Sequence, residues 1–222
     1  MFLELDDVLS GDEIARLKAI ASVSRFVDGR VSNPHSEVKK NLQIDPSDAR
    51  TEEASKLMAQ ALYRLEPFRD FAFPRVLAPP ILARYSPGMH YGAHSDAAFL
   101  PIGPRPLRSD LSCTLFIGAP DTYEGGELAI RLGARSVEFK GKPGSAVVYP
   151  SNTLHEVKPV TGGERLVGLT FIESLIPDGV HRELLYQLNE VAALEGLTMS
   201  WDNRTRLEYV RNNLRRMWGE AG

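Results

Sequence analysis

Between residues 81 and 173 the chain consists of short apolar or alternating segments separated by Pro-Gly, Gly-Gly and Pro-Gly-Ser turns. No stretch of helical periodicity lies between them, which disfavours a parallel sheet with crossover helices. Many short strands with regular turn signals are typical of a sandwich or jelly roll. We predict strands over 81–85, 111–117, 127–132, 136–139, 146–149 and 165–172. Residues 123–127, with their paired glycines, are interpreted as a hairpin turn without a catalytic role.

Helical patterns flank this region on both sides. Ser10 with Glu13 forms a capping-box signature, and a second apolar face of alanine, leucine and methionine ends before Pro67. Helical spacing returns after Pro177, where we expect two helices, packed in part by Trp201 and Trp218. The predicted fold is mainly β with flanking helices. Its first domain spans 1–176, with N-terminal helices and a core from about residue 80, and a helical extension over 177–222 packs on that core.

Composition excludes several classes of protein. The 222 residues carry 26 Lys+Arg and 29 Asp+Glu, a net charge of −3, so we expect no nucleic-acid partner; the arginines of the C-terminal segment are interpreted as a solvated helix face. No apolar run approaches the length of a membrane span, and the first residues are acidic, unlike a signal peptide. The only cysteine, Cys113, excludes an intrachain disulfide. A cytoplasmic protein without a membrane partner is expected.

Three side chains in the β region have the composition of a metal site. His94 and Asp96 are two residues apart, which in a strand places imidazole and carboxylate on one face. His155 follows the apolar segment 146–149. Two histidines and one carboxylate match the facial triad that holds Fe(II) and leaves coordination positions open. We therefore predict His94, Asp96 and His155 as catalytic metal ligands.

Arg165 opens an apolar segment ten residues after His155. A buried guanidinium needs an anion, and its planar fork suits a carboxylate. Consecutive strands of a jelly roll can lie in opposite sheets, so Arg165 and His155 could face each other across a cavity. The competing interpretation is an exposed arginine after the turn at 161–164.

Ordered motifs along the chain resemble a known family. They are the segments 85–96 (Tyr-Ser-Pro-Gly-Met-His-Tyr-Gly-Ala-His-Ser-Asp), 110–116 (Asp-Leu-Ser-Cys-Thr-Leu-Phe) and 123–128 (Tyr-Glu-Gly-Gly-Glu-Leu), His155 with Arg165, and the earlier segments 25–29 and 38–43. Together they resemble the Fe(II)/2-oxoglutarate dioxygenases and are most similar to the PKHD-type hydroxylases, relatives of prolyl 4-hydroxylase. The resemblance covers about residues 1 to 176.

This resemblance implies a double-stranded β-helix, a jelly-roll core of the cupin type. It implies an enzyme that uses Fe(II), 2-oxoglutarate and O2 to hydroxylate a substrate, giving succinate and CO2, with ascorbate as a reductant in relatives. Arg165 would bind the distal carboxylate of 2-oxoglutarate, and Tyr85 matches a tyrosine near that co-substrate. Segment 31–36 departs from the family pattern and lies where the substrate entrance is expected.

Two other functions use the same residues. A cupin-like metal-dependent hydrolase needs the three ligands but not Arg165, and a sensor of 2-oxoglutarate or iron binds both without turnover. The substrate remains open among peptidyl proline, amino acids, siderophores and other small molecules. A homo-oligomer through the C-terminal helices is a further expectation.

Overall fold

Short strands and α-helices, in about equal amounts, build the fold, and the computed structural model describes residues 1–220. The strands are β1 Leu3–Leu5, β2 Phe26–Asp28, β3 Lys39–Lys40, β4 Leu42–Ile44, β5 Pro74–Leu77, β6 Ile81–Tyr85, β7 His90–His94, β8 Phe99–Leu100, β9 Leu107–Arg108, β10 Leu111–Phe116, β11 Tyr123–Gly125, β12 Leu128–Leu132, β13 Arg135–Phe139, β14 Ala146–Pro150, β15 His155–Val157, β16 Val160–Gly163 and β17 Arg165–Ser174. The α-helices are α1 Gly11–Val23, α2 Thr51–Arg64, α3 Glu66–Ala72, α4 Gly179–Glu195 and α5 Trp201–Trp218, with 3-10 turns at Gly29–Ser32 and Pro120–Thr122.

Two antiparallel sheets face each other. The eight-stranded sheet has the order β1-β14-β10-β17-β6-β4-β2, with β5 also paired to β17. The five-stranded sheet has the order β13-β12-β15-β7-β3. Side chains from both sheets, such as Tyr85, Phe116, Val167 and Ile130, meet in one buried cluster between them. This arrangement confirms the predicted jelly-roll core with flanking helices.

Alternation along the central strands gives the eight-stranded sheet two different faces. On β10, Leu111, Cys113 and Leu115 pack in the cluster that also contains the apolar faces of α1, α2 and α3. Because side chains alternate in a strand, Ser112 and Phe116 point to the opposite face, toward the five-stranded sheet. The space between the sheets therefore receives polar side chains from strands that look apolar in sequence.

The flanking helices follow the predicted start signals. Ser10 accepts a hydrogen bond from the Glu13 backbone N–H, and the Glu13 carboxylate accepts one from Ser10 N–H, which completes the capping box of α1. Helix α2 ends before Pro67 as predicted. Pro67 does not end helical structure, however, because proline is tolerated in a first helical turn, and it lies at the start of α3.

Strands also occur where the sequence did not predict them. β1 to β5 precede residue 80 and extend the two sheets, so the β core is not confined to the region after it. Residues 123–127 were expected to form a hairpin turn. Instead β11 pairs with β16, a strand more than thirty residues away, and Gly125 and Gly126 take the left-handed conformation that lets the chain leave the pair.

The two C-terminal helices exist as predicted and pack only partly on the rest of the molecule. Leu185 and Trp218 contact the small cluster around Phe73 and Ile176. Trp201 is 76% exposed, so the prediction that both tryptophans pack the helices is wrong for Trp201. No helix within residues 1–220 is long and apolar enough to cross a membrane.

Candidate active site

The two histidines lie directly opposite each other on neighbouring strands. β7 and β15 are antiparallel, and His94 is in register with His155. Residues in such a pair project their side chains to the same face of the sheet. The imidazole centroids are 4.3 Å apart. Strand pairing therefore brings together two residues that are 61 positions apart in sequence.

A backbone carbonyl orients each ring. His94 Nδ1 lies 2.8 Å from the Gly92 carbonyl oxygen, and His155 Nδ1 lies 2.9 Å from that of Thr153. A carbonyl only accepts, so each Nδ1 carries the proton and donates. Each Nε2 of a neutral ring then has a free lone pair, the form in which histidine binds metal. Burial lowers the pKa of His155 and favours this neutral form.

Asp96 completes the group from outside the strand. We expected His94 and Asp96 to lie on the same face of one strand. β7 ends at His94, however, so strand alternation does not place Asp96 beside His94. A backbone hydrogen bond from Asp96 N–H to the Ser151 carbonyl turns the segment back instead. The Asp96 carboxylate oxygens then lie 3.7 Å from His94 Nε2 and 3.6 Å from His155 Nε2.

The charge state of the cluster suits a divalent cation. Burial opposes ionisation of Asp96, but its contacts with His94 and His155 and the Ser112 hydroxyl outweigh that effect and lower its pKa. Within residues 1–220, this is the one group of three or more potential metal ligands, with donor atoms within 4.8 Å of one another. Two imidazole nitrogens and one carboxylate oxygen form a donor set that suits Fe(II).

Arg165 lies in the opposite sheet and faces the same interior. Its strand β17 belongs to the eight-stranded sheet, whereas His155 belongs to the five-stranded one. The side chain is 1% exposed, and no residue of the described chain hydrogen-bonds to any of its three guanidinium nitrogens. A buried charge without a partner costs several kcal/mol, about the penalty of desolvating one ion. The structure thus rules out the exposed-arginine interpretation and presents an unpaired cation that needs an anion.

Aromatic and glycine residues surround this guanidinium. Tyr85 is in register with Arg165, and its ring centroid is 4.9 Å from the guanidinium carbon. Burial raises the pKa of Tyr85, which keeps the phenol neutral. Gly126 lies beside the Arg165 side chain as well, and the Tyr123 ring packs next to Gly126. The pattern at 123–127 predicted a turn without a catalytic role, although the tyrosine before paired glycines was a signal that could have indicated one.

Segment 31–36 reaches the site through Tyr91. The Asn33 amide donates to the Tyr91 hydroxyl at 3.1 Å, and the Tyr91 ring stacks on His94 with centroids 3.6 Å apart. Lys39 donates to Ser32 at 2.8 Å, and its ammonium nitrogen lies 5.4 Å from the Tyr91 ring centroid. Burial lowers the pKa of Lys39 from 10.5 to about 8. The segment therefore contacts the stack that supports His94.

A cleft of about 720 Å³ opens beside Asp96. One wall comes from residues 95–99 and 108–111, and another from the beginning of α4. Phe99, Leu111 and Val180 give it apolar surface, and its charged lining is mixed, with two arginines and four carboxylates. The volume matches that of ordinary ligand pockets, about 300 to 1,000 Å³.

Solved structures with low sequence identity share this fold. A Pseudomonas putida prolyl-4-hydroxylase superposes with a TM-score of 0.55 at 19% identity, covering 78% of this chain and 92% of that one. A Trichoplax adhaerens prolyl hydroxylase, solved with a hypoxia-inducible factor peptide fragment, gives a TM-score of 0.60 at 16% identity and covers 77% and 82%. Both support the jelly-roll architecture.

Sequence comparisons extend over almost the whole chain. The 2OG-Fe(II) oxygenase superfamily profile matches residues 80–173, which contain all five predicted site residues. A PKHD-type hydroxylase of Sphingopyxis alaskensis is 51% identical over 215 residues, 97% of this chain and 98% of that one. Another from Thioalkalivibrio sulfidiphilus is 41% identical over all of both chains. These matches pass residue 176 into the C-terminal helices, and they show that the chain belongs to the PKHD-type hydroxylases of the 2OG-Fe(II) oxygenase superfamily.

Proposed function

We propose that this Fe(II)- and 2-oxoglutarate-dependent dioxygenase holds its iron on His94, Asp96 and His155 and its co-substrate on Arg165. The observation that carries this assignment is the unpaired, buried guanidinium of Arg165 facing the interior that also contains the His-Asp-His cluster. A dicarboxylate that binds metal at one end and Arg165 at the other satisfies both groups. A hydrolase using the three ligands alone leaves the buried Arg165 charge unexplained.

The side chains have distinct roles in this assignment. His94 and His155 present Nε2 because the backbone holds each Nδ1–H, and Asp96 supplies the negative charge. Arg165 binds the far carboxylate of 2-oxoglutarate through paired N–H donors, and Tyr85 forms an apolar wall beside it. Bound Fe(II) supplies the activation of O2 that couples decarboxylation of 2-oxoglutarate to hydroxylation of a C–H bond, giving succinate and CO2.

We further propose that the substrate, a peptide or small molecule, approaches through the cleft beside Asp96. Segment 31–36 is proposed as a second part of the substrate entrance, because Asn33 contacts the Tyr91 ring that stacks on His94. Ascorbate is proposed as the reductant that restores oxidised iron.

Cytoplasmic location is proposed because the one cysteine is buried and unpaired. Self-association through the C-terminal helices is proposed from the apolar side chains that α4 and α5 expose. No membrane or nucleic-acid partner is expected.

Succinate formation tests the assignment. Iron is loaded anaerobically, 2-oxoglutarate and O2 are added, and succinate is measured for wild type, Arg165→Ala and the control Arg131→Ala, whose side chain is exposed on β12. Slow turnover without substrate is expected for wild type and the control. Loss of the charged contacts raises the 2-oxoglutarate concentration needed by about 100-fold in Arg165→Ala, equivalent to about 2.7 kcal/mol.

Two results contradict the assignment. Equal 2-oxoglutarate requirements in wild type and Arg165→Ala mean that Arg165 does not hold the co-substrate. Absence of succinate from the iron-loaded wild type, despite binding of iron and 2-oxoglutarate, favours the sensor function instead.

A further inference from the structure

Three buried serines form a connected group behind Asp96. Ser112 Oγ donates to Asp96 Oδ2 at 2.5 Å, Ser112 and Ser151 Oγ are 2.7 Å apart, and Ser109 Oγ donates to Ser151 Oγ at 2.8 Å. Their exposed fractions are 3% for Ser112, 1% for Ser151 and 8% for Ser109. This serine chain runs from the metal-ligand candidate to the wall of the cleft, where Ser109 lies.

Counting protons gives the serine chain one direction. A hydroxyl has a single proton to donate. Ser112 donates its hydroxyl hydrogen bond to Asp96, so in the hydrogen bond between Ser112 and Ser151 the donor is Ser151. Ser109 in turn donates a hydrogen bond to Ser151 Oγ. All three hydroxyl dipoles point toward the carboxylate, and bonds aligned in this way polarise and strengthen one another.

Ser151 also fixes the backbone of Asp96. Its carbonyl accepts the Asp96 N–H, and its own N–H donates to the Asp110 carbonyl. The serine chain and these backbone bonds together hold Asp96 where β7 has already ended and no strand partner does so. A buried hydroxyl without a partner costs free energy, and these three hydroxyls satisfy one another in a chain that ends on the Asp96 carboxylate.

We propose that Ser112 is a positioning residue for Asp96, and that Ser151 and Ser109 strengthen its hydrogen bond. By occupying Oδ2, Ser112 leaves Oδ1 free toward His94 and holds the carboxylate in one orientation. The inference rests on the proposed function, in which Asp96 is an iron ligand. Loss of a hydrogen-bonding partner of a metal ligand weakens metal binding by about 10- to 100-fold.

The test measures the affinity of the metal-free protein for Mn(II) by calorimetry, without turnover. Ser112→Ala is expected to bind 10- to 100-fold more weakly, and Ser112→Thr, which retains the hydroxyl, to stay within about threefold of wild type. Cys113→Ala is the matched control, because its side chain lies on the other face of β10 and should leave Mn(II) affinity unchanged. Circular dichroism verifies that each variant is folded.

Ser109→Ala provides a second, milder measurement at the far end of the serine chain. We expect a loss of about threefold, because the carboxylate keeps its direct donor. Wild-type affinity in folded Ser112→Ala overturns the proposal, as does failure of Ser112→Thr to restore binding. If Ser112→Ala does not fold, wild-type Mn(II) affinity in Ser109→Ala contradicts the proposed effect of the serine chain on Asp96. Unchanged affinity in Asp96→Ala contradicts the iron assignment itself, which separates the two failures.

Discussion

At the scale of single residues, Gly126 controls the space next to Arg165. Its φ of +70° is one that residues with a Cβ rarely adopt. A Cβ placed there would lie 3.0 Å from Arg165 Cδ and 2.9 Å from a Val160 methyl carbon. The glycine therefore allows both the backbone turn after β11 and the close approach of the arginine stem.

We predict that Gly126→Ala weakens 2-oxoglutarate binding about tenfold by displacing Arg165, with Mn(II) affinity unchanged. Gly133→Ala is the control, since Gly133 has a φ of +62° and open space around its Cβ position. Both variants should lose about 1–2 kcal/mol of stability from the left-handed conformation. Co-substrate binding by fluorescence quenching or calorimetry separates them, and equal losses of affinity would contradict this role for Gly126.

At the scale of secondary structure, one carboxylate joins two helices. Glu13 completes the capping box of α1 and also receives two hydrogen bonds from Arg64 at the end of α2, at 2.8 and 2.7 Å. The hydrogen bond from Arg64 is the main cause that lowers the pKa of Glu13 from 4.5 to about 2. Two of the three helices that cover the eight-stranded sheet, α1 and α2, are thus tied together by this ion pair.

This ion pair predicts a pH dependence of stability. The folded-state pKa of Glu13 is below its unfolded value, so its contribution is complete above about pH 4.5 and is lost as pH falls through about 2. We expect about 1 kcal/mol, because Arg64 is half exposed and solvent screens the pair. Urea unfolding between pH 5 and pH 2 should show a shallower pH dependence in Glu13→Gln than in wild type.

The control for that measurement is Asp12→Asn, one residue earlier in the same helical turn and without an ion pair to any described residue. An identical pH dependence in Glu13→Gln and wild type would show that the pair does not contribute.

At the scale of the whole molecule, the C-terminal helices join the core by one side and expose apolar residues on the other. Glu220 pairs with Arg108 at 3.0 Å and Arg75 at 3.2 Å, which anchors the end of α5. In contrast, Leu194, Leu197, Trp201 and Tyr209 are 75%, 90%, 76% and 70% exposed. Three of these four residues lie at or next to the connection between α4 and α5, and exposed apolar patches are typical of protein interfaces.

The proposed self-association predicts that wild type sediments above its monomer mass of 24.6 kDa. Replacing Leu197 and Trp201 together with serine should return it to the monomer, because the apolar area that drives association is removed. Phe99→Ser, a change at an exposed phenylalanine on β8, is the control and should leave the mass unchanged. A wild type that sediments as a monomer at micromolar concentration would refute the proposal.

Periodicity predicted the long elements well, because a buried face imposes its own spacing on the chain. The major strands around β10, β14 and β17 and the capped helix α1 appear where expected. The end of α2 before Pro67 was predicted correctly, but α3, which contains Pro67 in its first turn, was not predicted. The prediction of a turn at Tyr123 was wrong, because this residue belongs to β11. Local signals do not show which distant segment completes a pair.

Residue identities alone determined the composition of the site, since two imidazoles, a carboxylate and one arginine in an apolar segment already define the chemistry available. Tertiary structure decided how those groups act. The register of β7 with β15 brings His94 to His155, the serine chain orients Asp96, and the opposing sheet buries Arg165 without a partner. Each of these depends on contacts between segments far apart in the chain, and such contacts form only when the two sheets close around a common interior.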